Sequence, residues 1–273
     1  VKAKPFFLPC VSVFLLCASS GFGSYASCNV YAVYENLSQS RMDTSAVLGQ
    51  PAQEEVLLGI GLEDYSSSWA RATLDGKVSG RTEGFSAAGK DVFAHSSSVS
   101  SADWLVWSDT LAVGTPVRLW LDVLFEGHLY SEQSDAVSRA WVVLQKDGVA
   151  IYSGSAEYNG SGVSAGSQWD GSCFIQDSKT CLLYAPGSLF IDAAVGQRLN
   201  LTLHLQTSIE CTQTQNGGAR TDFSSSGSYQ FLGAYSRGMP PRQLDVQVIL
   251  VPEPLSLVLL LGGAAVNLRR FRL

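Results

Sequence analysis

The chain has 273 residues, with 18 basic against 24 acidic side chains and a formal charge of −6. Ser (37) and Gly (26) are over-represented, charged residues make up only 15%, and mean hydropathy is +0.12. That balance excludes a nucleic-acid binder driven by positive charge, wholesale disorder, and the charge-rich profile of a typical cytosolic enzyme, while leaving ample apolar residue for a core.

The first element in chain order is a secretory signal. Lys2 and Lys4 form a positive start, and Phe6 to Ala18 form an apolar stretch too short for a comfortable membrane span. Ser24-Tyr25-Ala26 supplies a small-x-small cleavage pattern, which predicts a signal peptide over 1–26 and a mature chain beginning at Ser27. A lipoprotein signal ending at Cys28 is the weaker reading, because Tyr25 stands where such signals want Leu.

Residues 27–250 form the secreted body, and their dominant pattern is a period of two. Predicted strands run in order through Asn29–Tyr34, Val56–Gly61, Trp69–Leu74, Val92–His95 and Trp104–Trp107. The clearest alternation follows, with Val117, Leu119, Leu121, Val123 and Phe125 on one face and Arg118, Trp120, Asp122 and Glu126 on the other. Ser138–Gln145 and Val149–Ser153 come next, with Asp147-Gly148 between them as a two-residue hairpin turn. Leu199, Leu201, Leu203 and Leu205 alternate with polar residues, and Gln230–Tyr235 and Leu244–Val251 complete the set. The triple-Ser runs starting at Ser66, Ser96 and Ser224 are expected to be loops, and no segment has helical periodicity. The prediction is an all-β fold: one antiparallel β-sandwich, with a jelly-roll variant open.

Four cysteines remain outside the signal, an even number in a chain bound for an oxidising space. The favoured pairing is Cys173–Cys181, closing a short loop, with Cys28–Cys211. Their spacing suits no zinc site, the three His are scattered, and no pattern calls for a metal or cofactor. Gly162-Val163-Ser164-Ala165-Gly166 matches the G-x-S-x-G pattern of hydrolase nucleophiles but lies in a Ser/Gly-rich stretch without a following helix, so it is expected to be a chance match. Asp122 and Glu126 are candidate carboxylates for glycosidase chemistry, but alternating strands place carboxylates on a solvated face anyway, and that is the better explanation of them. No catalytic residue is assigned. Trp120, on the polar face of its strand, is the candidate sugar platform.

The last element is Val251 to Leu273. Pro252-Glu253-Pro254 is stiff and extended, Leu255 to Leu268 is mostly apolar, and Arg269, Arg270 and Arg272 close the chain. Terminal arginines resist translocation, so a short membrane helix here leaves the preceding body outside. The order of these parts resembles the PEP-CTERM sorting signal of Gram-negative bacteria, over less than a tenth of the chain. The resemblance implies that Pro252, Glu253 and Pro254 are the sorting motif and that Arg269, Arg270 and Arg272 are the stop-transfer cluster. It also implies an exosortase-type membrane protease as partner, transient residence in the inner membrane, and a final place at the cell surface or in an exopolysaccharide matrix. The expected function is therefore a secreted, non-catalytic surface or matrix protein. The alternatives are a lectin-like carbohydrate-binding module or a polysaccharide hydrolase or lyase with the same tail.

Overall fold

The computed structural model describes residues 24–251 apart from 62–63, 87–89, 133–135, 161, 166–171, 176–179, 212–216 and 239. The expected signal peptide up to residue 23, the Pro252–Pro254 motif and the arginines at 269, 270 and 272 lie outside the described residues. What is described is all-β and antiparallel, in two sheets.

With strands numbered in chain order, the first sheet runs β10 (Val163–Ala165), β9 (Val149–Tyr158), β8 (Ala136–Lys146), β13 (Arg198–Cys211), β6 (Val92–Trp107), β1 (Tyr25–Tyr34) and β2 (Leu37–Ser45). A short β16 (Gln247–Leu250) also pairs with β6. The second sheet runs β11 (Ser172–Ile175), β12 (Thr180–Ala194), β7 (Pro116–Ser131), β14 (Gly217–Tyr235), β5 (Lys77–Ser86), β4 (Asp64–Thr73) and β3 (Ala52–Gly61). There β15 (Gln243–Leu244) adds to β14.

The alternation of the sequence becomes the core between the sheets. Leu199, Leu201, Leu203 and Leu205 of β13 and Val117, Leu119, Leu121 and Phe125 of β7 are completely buried. Each buried Leu contributes about 2 kcal/mol of apolar transfer, an upper estimate against an extended chain. Phe125 stacks on Phe223 with ring centroids 4.7 Å apart. The Asp147-Gly148 turn joins β8 to β9 with φ of 50° and 80°, the two positive values that a type I′ hairpin needs.

The serine runs are not loops. Ser66–Ser68 lie within β4, Ser96–Ser98 lie within β6, and Ser224–Ser226 form an irregularity within β14. The small hydroxyls let the two sheets approach closely. Ser66 donates to the backbone carbonyl of Phe93 at 2.7 Å, and Ser68 donates to that of His95 at 2.5 Å, both across the interior. Ser96 meets Thr207 at 2.7 Å, and Thr82 meets Thr221 at 2.7 Å. Face-to-face sheets usually lie about 10 Å apart, a gap that a serine side chain cannot bridge, so this half of the interior is thinner. Gly80 enforces the same closeness, because a Cβ there would lie 2.6 Å from Ser96 Oγ.

The body begins upstream of the expected Ser27. β1 starts at Tyr25, Ala26 is fully buried, and Ser24 is 3% exposed. Ser24 Oγ accepts the Asp103 N–H at 3.0 Å and donates to the Val251 carbonyl at 3.5 Å. Val251 in turn donates its N–H to the Asp103 carbonyl at 2.8 Å. The first and last described residues therefore meet, at one end of the molecule.

At the other end, Lys90 joins the sheets. Its ammonium donates to Tyr34 Oη at 2.6 Å and to Asp64 at 3.1 Å, and lies 3.3 Å from Glu35.

Candidate functional site

The outer face of the second sheet carries the densest set of side chains suited to binding, and β7 organises it. Its outward residues include Arg118, Trp120, Asp122 and Glu126 of the sequence pattern, with Leu124, His128 and Tyr130 on the same face.

Near the start of β7, cross-strand pairing builds an aromatic platform. Trp120 pairs in register with Phe190 of β12 and Gly233 of β14, and Tyr235 lies opposite Arg118. Trp120 and Phe190 are stacked at 6.2 Å with 23° between their planes, while Tyr235 leans on both at 6.1 and 6.5 Å. Phe190 is 60% exposed. Asp192 holds the rim, with Arg118 Nε at 3.4 Å and Arg237 Nε at 3.3 Å from the same carboxylate oxygen. Trp120 Nε1 is enclosed and has no partner among the described residues. The ring is thus anchored by stacking rather than by its N–H, and the platform offers π faces beside charged hydrogen-bonding groups.

Further along the same face lies a cleft of about 620 Å³ between β4, β5, β14 and β7. Two polar rows cross it: Glu83, Arg220 and Tyr130 in one, Arg81, Asp222 and His128 in the next. An irregular stretch of β14 between Asp222 and Gly227 forms one wall, and such bulges re-aim side chains near binding surfaces. Tyr65 donates to Glu83 at 2.8 Å, and Arg81 also pairs with Glu83. Burial works against the Glu83 carboxylate, but those two partners hold its pKa below the ordinary value. Burial and the adjacent Glu83 push the Tyr65 phenol up to about 12. Asp222 is likewise held low by Ser224 and Arg220 despite burial. These carboxylates are ionised hydrogen-bond acceptors with partners, which suits polar recognition better than proton transfer.

A second cavity, about 440 Å³, lies on the outer face of the first sheet and is lined by His95, Trp141, Glu157 and Ser164. The strand order spaces Ser164 on β10 four strands from His95 on β6, roughly 19 Å at the usual inter-strand distance. His204 on β13 is three strands away, about 14 Å by the same spacing. No described histidine can activate Ser164 across that gap. Asp122 and Glu126 are four positions apart on one strand, roughly 13 Å from strand rise, which separates them beyond the usual glycosidase range.

The Cys28–Cys211 bridge does not form. Both thiols are buried and neither is bridged. β6 lies between their strands, with Cys28 opposite Ser98 and Cys211 opposite Val92, so they are offset by six positions along that strand. A disulfide needs Cα atoms within about 7 Å. Burial pushes the Cys28 thiol up to about 11. Cys173 and Cys181 lie on the paired strands β11 and β12, where Ile175 is opposite Cys181 and Leu183 opposite Cys173; their side chains fall outside the described residues.

Trp120 is therefore where the alternation placed it, on the outer face. Its partners Phe190 and Tyr235 and the cleft residues Tyr65, Tyr130 and Arg220 meet only through non-local strand pairing, which leaves no local sequence signal. No family model, curated protein or solved structure matches the chain.

Proposed function

We propose that this chain is an exported, non-catalytic β-sandwich of jelly-roll character, sorted at the inner membrane by an exosortase-type protease and displayed at the cell surface or in an exopolysaccharide matrix. The observation that carries this reading is the meeting of Ser24 and Val251 through Asp103. The N-terminal apolar segment and the Pro-Glu-Pro tail both join the body at one place, so a single folded domain can sit outside a membrane that holds both flanks. Intact-mass measurement of protein from the native host should find a C-terminus near Pro252 to Leu255, with Arg269, Arg270 and Arg272 absent. Full-length chains that persist whether or not Pro252–Pro254 is deleted would overturn the sorting step.

The ring cluster favours a second reading, a lectin-like module for the host's exopolysaccharide. Trp120→Ala removes the central ring of the platform, and the expected result is loss of binding to that polysaccharide with the melting temperature little changed. Retained binding assigns the platform to packing alone. Release of soluble product from the polysaccharide would instead mark a hydrolase or lyase.

A further inference from the structure

We infer that the end of the sandwich at which residues 24 and 251 meet is a membrane-docking surface, whose loop tips enter the interfacial layer of a lipid bilayer.

Strand directions fix what lies at that end. It holds the β2–β3, β6–β7 and β12–β13 loops, the β4–β5 and β8–β9 hairpins, and the β14–β16 segment beside the start of β1. Large apolar side chains project from four of these: Leu48 is 61% exposed, Val113 79%, Val149 67%, Ile249 43% and Trp107 42%, while the β4–β5 turn carries the exposed Asp75–Lys77 pair. Loop tips of a soluble domain are ordinarily polar, and repeated exposure of apolar tips at one end marks an interaction surface. The opposite end provides the contrast. Its described tips are Glu35, Asn36, Lys90, Asp91, Glu132 and Asn159, with Leu37 the one large apolar side chain exposed there among the described residues.

Two further observations select a bilayer as the occupant. The apolar segments Phe6–Ala18 and Leu255–Leu268 attach within a few residues of Ser24 and Val251, so any membrane that receives them lies against this end. Charge is also less adverse here than elsewhere: the ionisable side chains in its loops or within three residues of its strand ends nearly balance, seven basic against eight acidic. The rest of the body is strongly acidic and is repelled by an anionic leaflet. Trp107 has the amphipathic character of interfacial residues, with an exposed ring and an Nε1–H donated to Asp109 at 3.1 Å.

This inference rests on the exported, membrane-held reading above, and the test separates the two. The full chain is reconstituted with phosphatidylethanolamine/phosphatidylglycerol vesicles, and flotation reads anchoring. Quenching of tryptophan fluorescence by brominated lipid reads docking. The expected result is flotation with quenching that is lost in Trp107→Phe and in a Leu48→Asp/Val113→Asp variant, and kept in Trp141→Phe on the sheet face. Flotation without quenching, or quenching that survives Trp107→Phe, overturns docking and leaves the anchored reading standing. Failure to float overturns both. Trp107 is exposed, so its replacement leaves the core intact, and circular dichroism verifies the fold of every variant.

Discussion

His204 lies on the outer face of the first sheet, where its Nε2 is 2.9 Å from Ser97 Oγ and its ring meets Trp141 edge-on at 5.3 Å. Burial, and then the neighbouring His95, push its pKa down to about 4. An unfolded histidine titrates near 6.5, so between these values the unfolded chain binds more protons. Stability is fully present above pH 6.5, falls as pH drops toward 4, and does not fall further on this account. The His204→Gln variant should show a shallower decline of melting temperature over that window, measured by calorimetry at several pH values. His95 is also lowered by burial and contributes to the slope that remains. Packing offers a sharper single-residue case at Gly127, where an added Cβ would lie 2.2 Å from the buried Phe223 ring. Phe223 is held against Phe125, so Gly127→Ala should cost about 1–3 kcal/mol by overpacking, read from urea unfolding. Cys28 should resist iodoacetamide in the native state and react only after denaturation, because its thiol is both buried and poorly ionised.

At the scale of elements, β1 constrains where a leader could be removed if the proposed export reading holds. Cleavage after Ala26 would delete Ser24, which bonds Asp103 and Val251, and Tyr25 and Ala26, which pair with Ser101 and Ser100. A mature chain starting at or before Ser24 keeps all of these, and Ala18-Ser19-Ser20 supplies an upstream small-x-small pattern. On the proposed export reading, N-terminal sequencing of protein from the native host should therefore find a start before Tyr25. A chain engineered to begin at Ser27 should melt at lower temperature. The same element shows what the sequence made legible. Strands with a strict apolar face, such as β7 and β13, were visible because each inward residue is large. β6 appeared as two fragments, Val92–His95 and Trp104–Trp107, because Ser96–Ser101 between them puts small hydroxyls where the sheets come closest. β12 and β2 left no clear period. The outward side chains of β2 are mostly exposed, which removes the burial that creates a pattern. Turn chemistry was legible where backbone sterics demand it, as at Asp147-Gly148.

For the molecule as a whole, a large share of the Ser/Gly excess lies in the interior. Ser66, Ser68, Ser96, Ser98, Ser100 and Ser138 are at most 1% exposed, so a composition that resembles loops describes the thin half of a core. The same whole-chain geometry makes the two ends one interrupted strand. Leu250 pairs with Trp104 and Tyr25 with Ser101, both antiparallel to β6 on the same edge. Two residues of β6, Ala102 and Asp103, lie between those partners, and two residues of the chain, Val251 and Ser24, fill the gap opposite them. A strand running from β16 directly into β1 would keep register without insertion, so a circular permutant should fold. Val251 would be fused to Ser24 directly or through one glycine, and the chain opened between Gly49 and Gln50, in the exposed β2–β3 loop. Gln50 there loses only its N–H bond to the Val47 carbonyl among the backbone pairings. The permutant also lacks both terminal segments, so it isolates the body's own stability from any contribution of the flanks. Cooperative unfolding close to that of residues 24–251 is the expected outcome. A collapsed species without a cooperative transition would show that β16 and β1 are not collinear on β6.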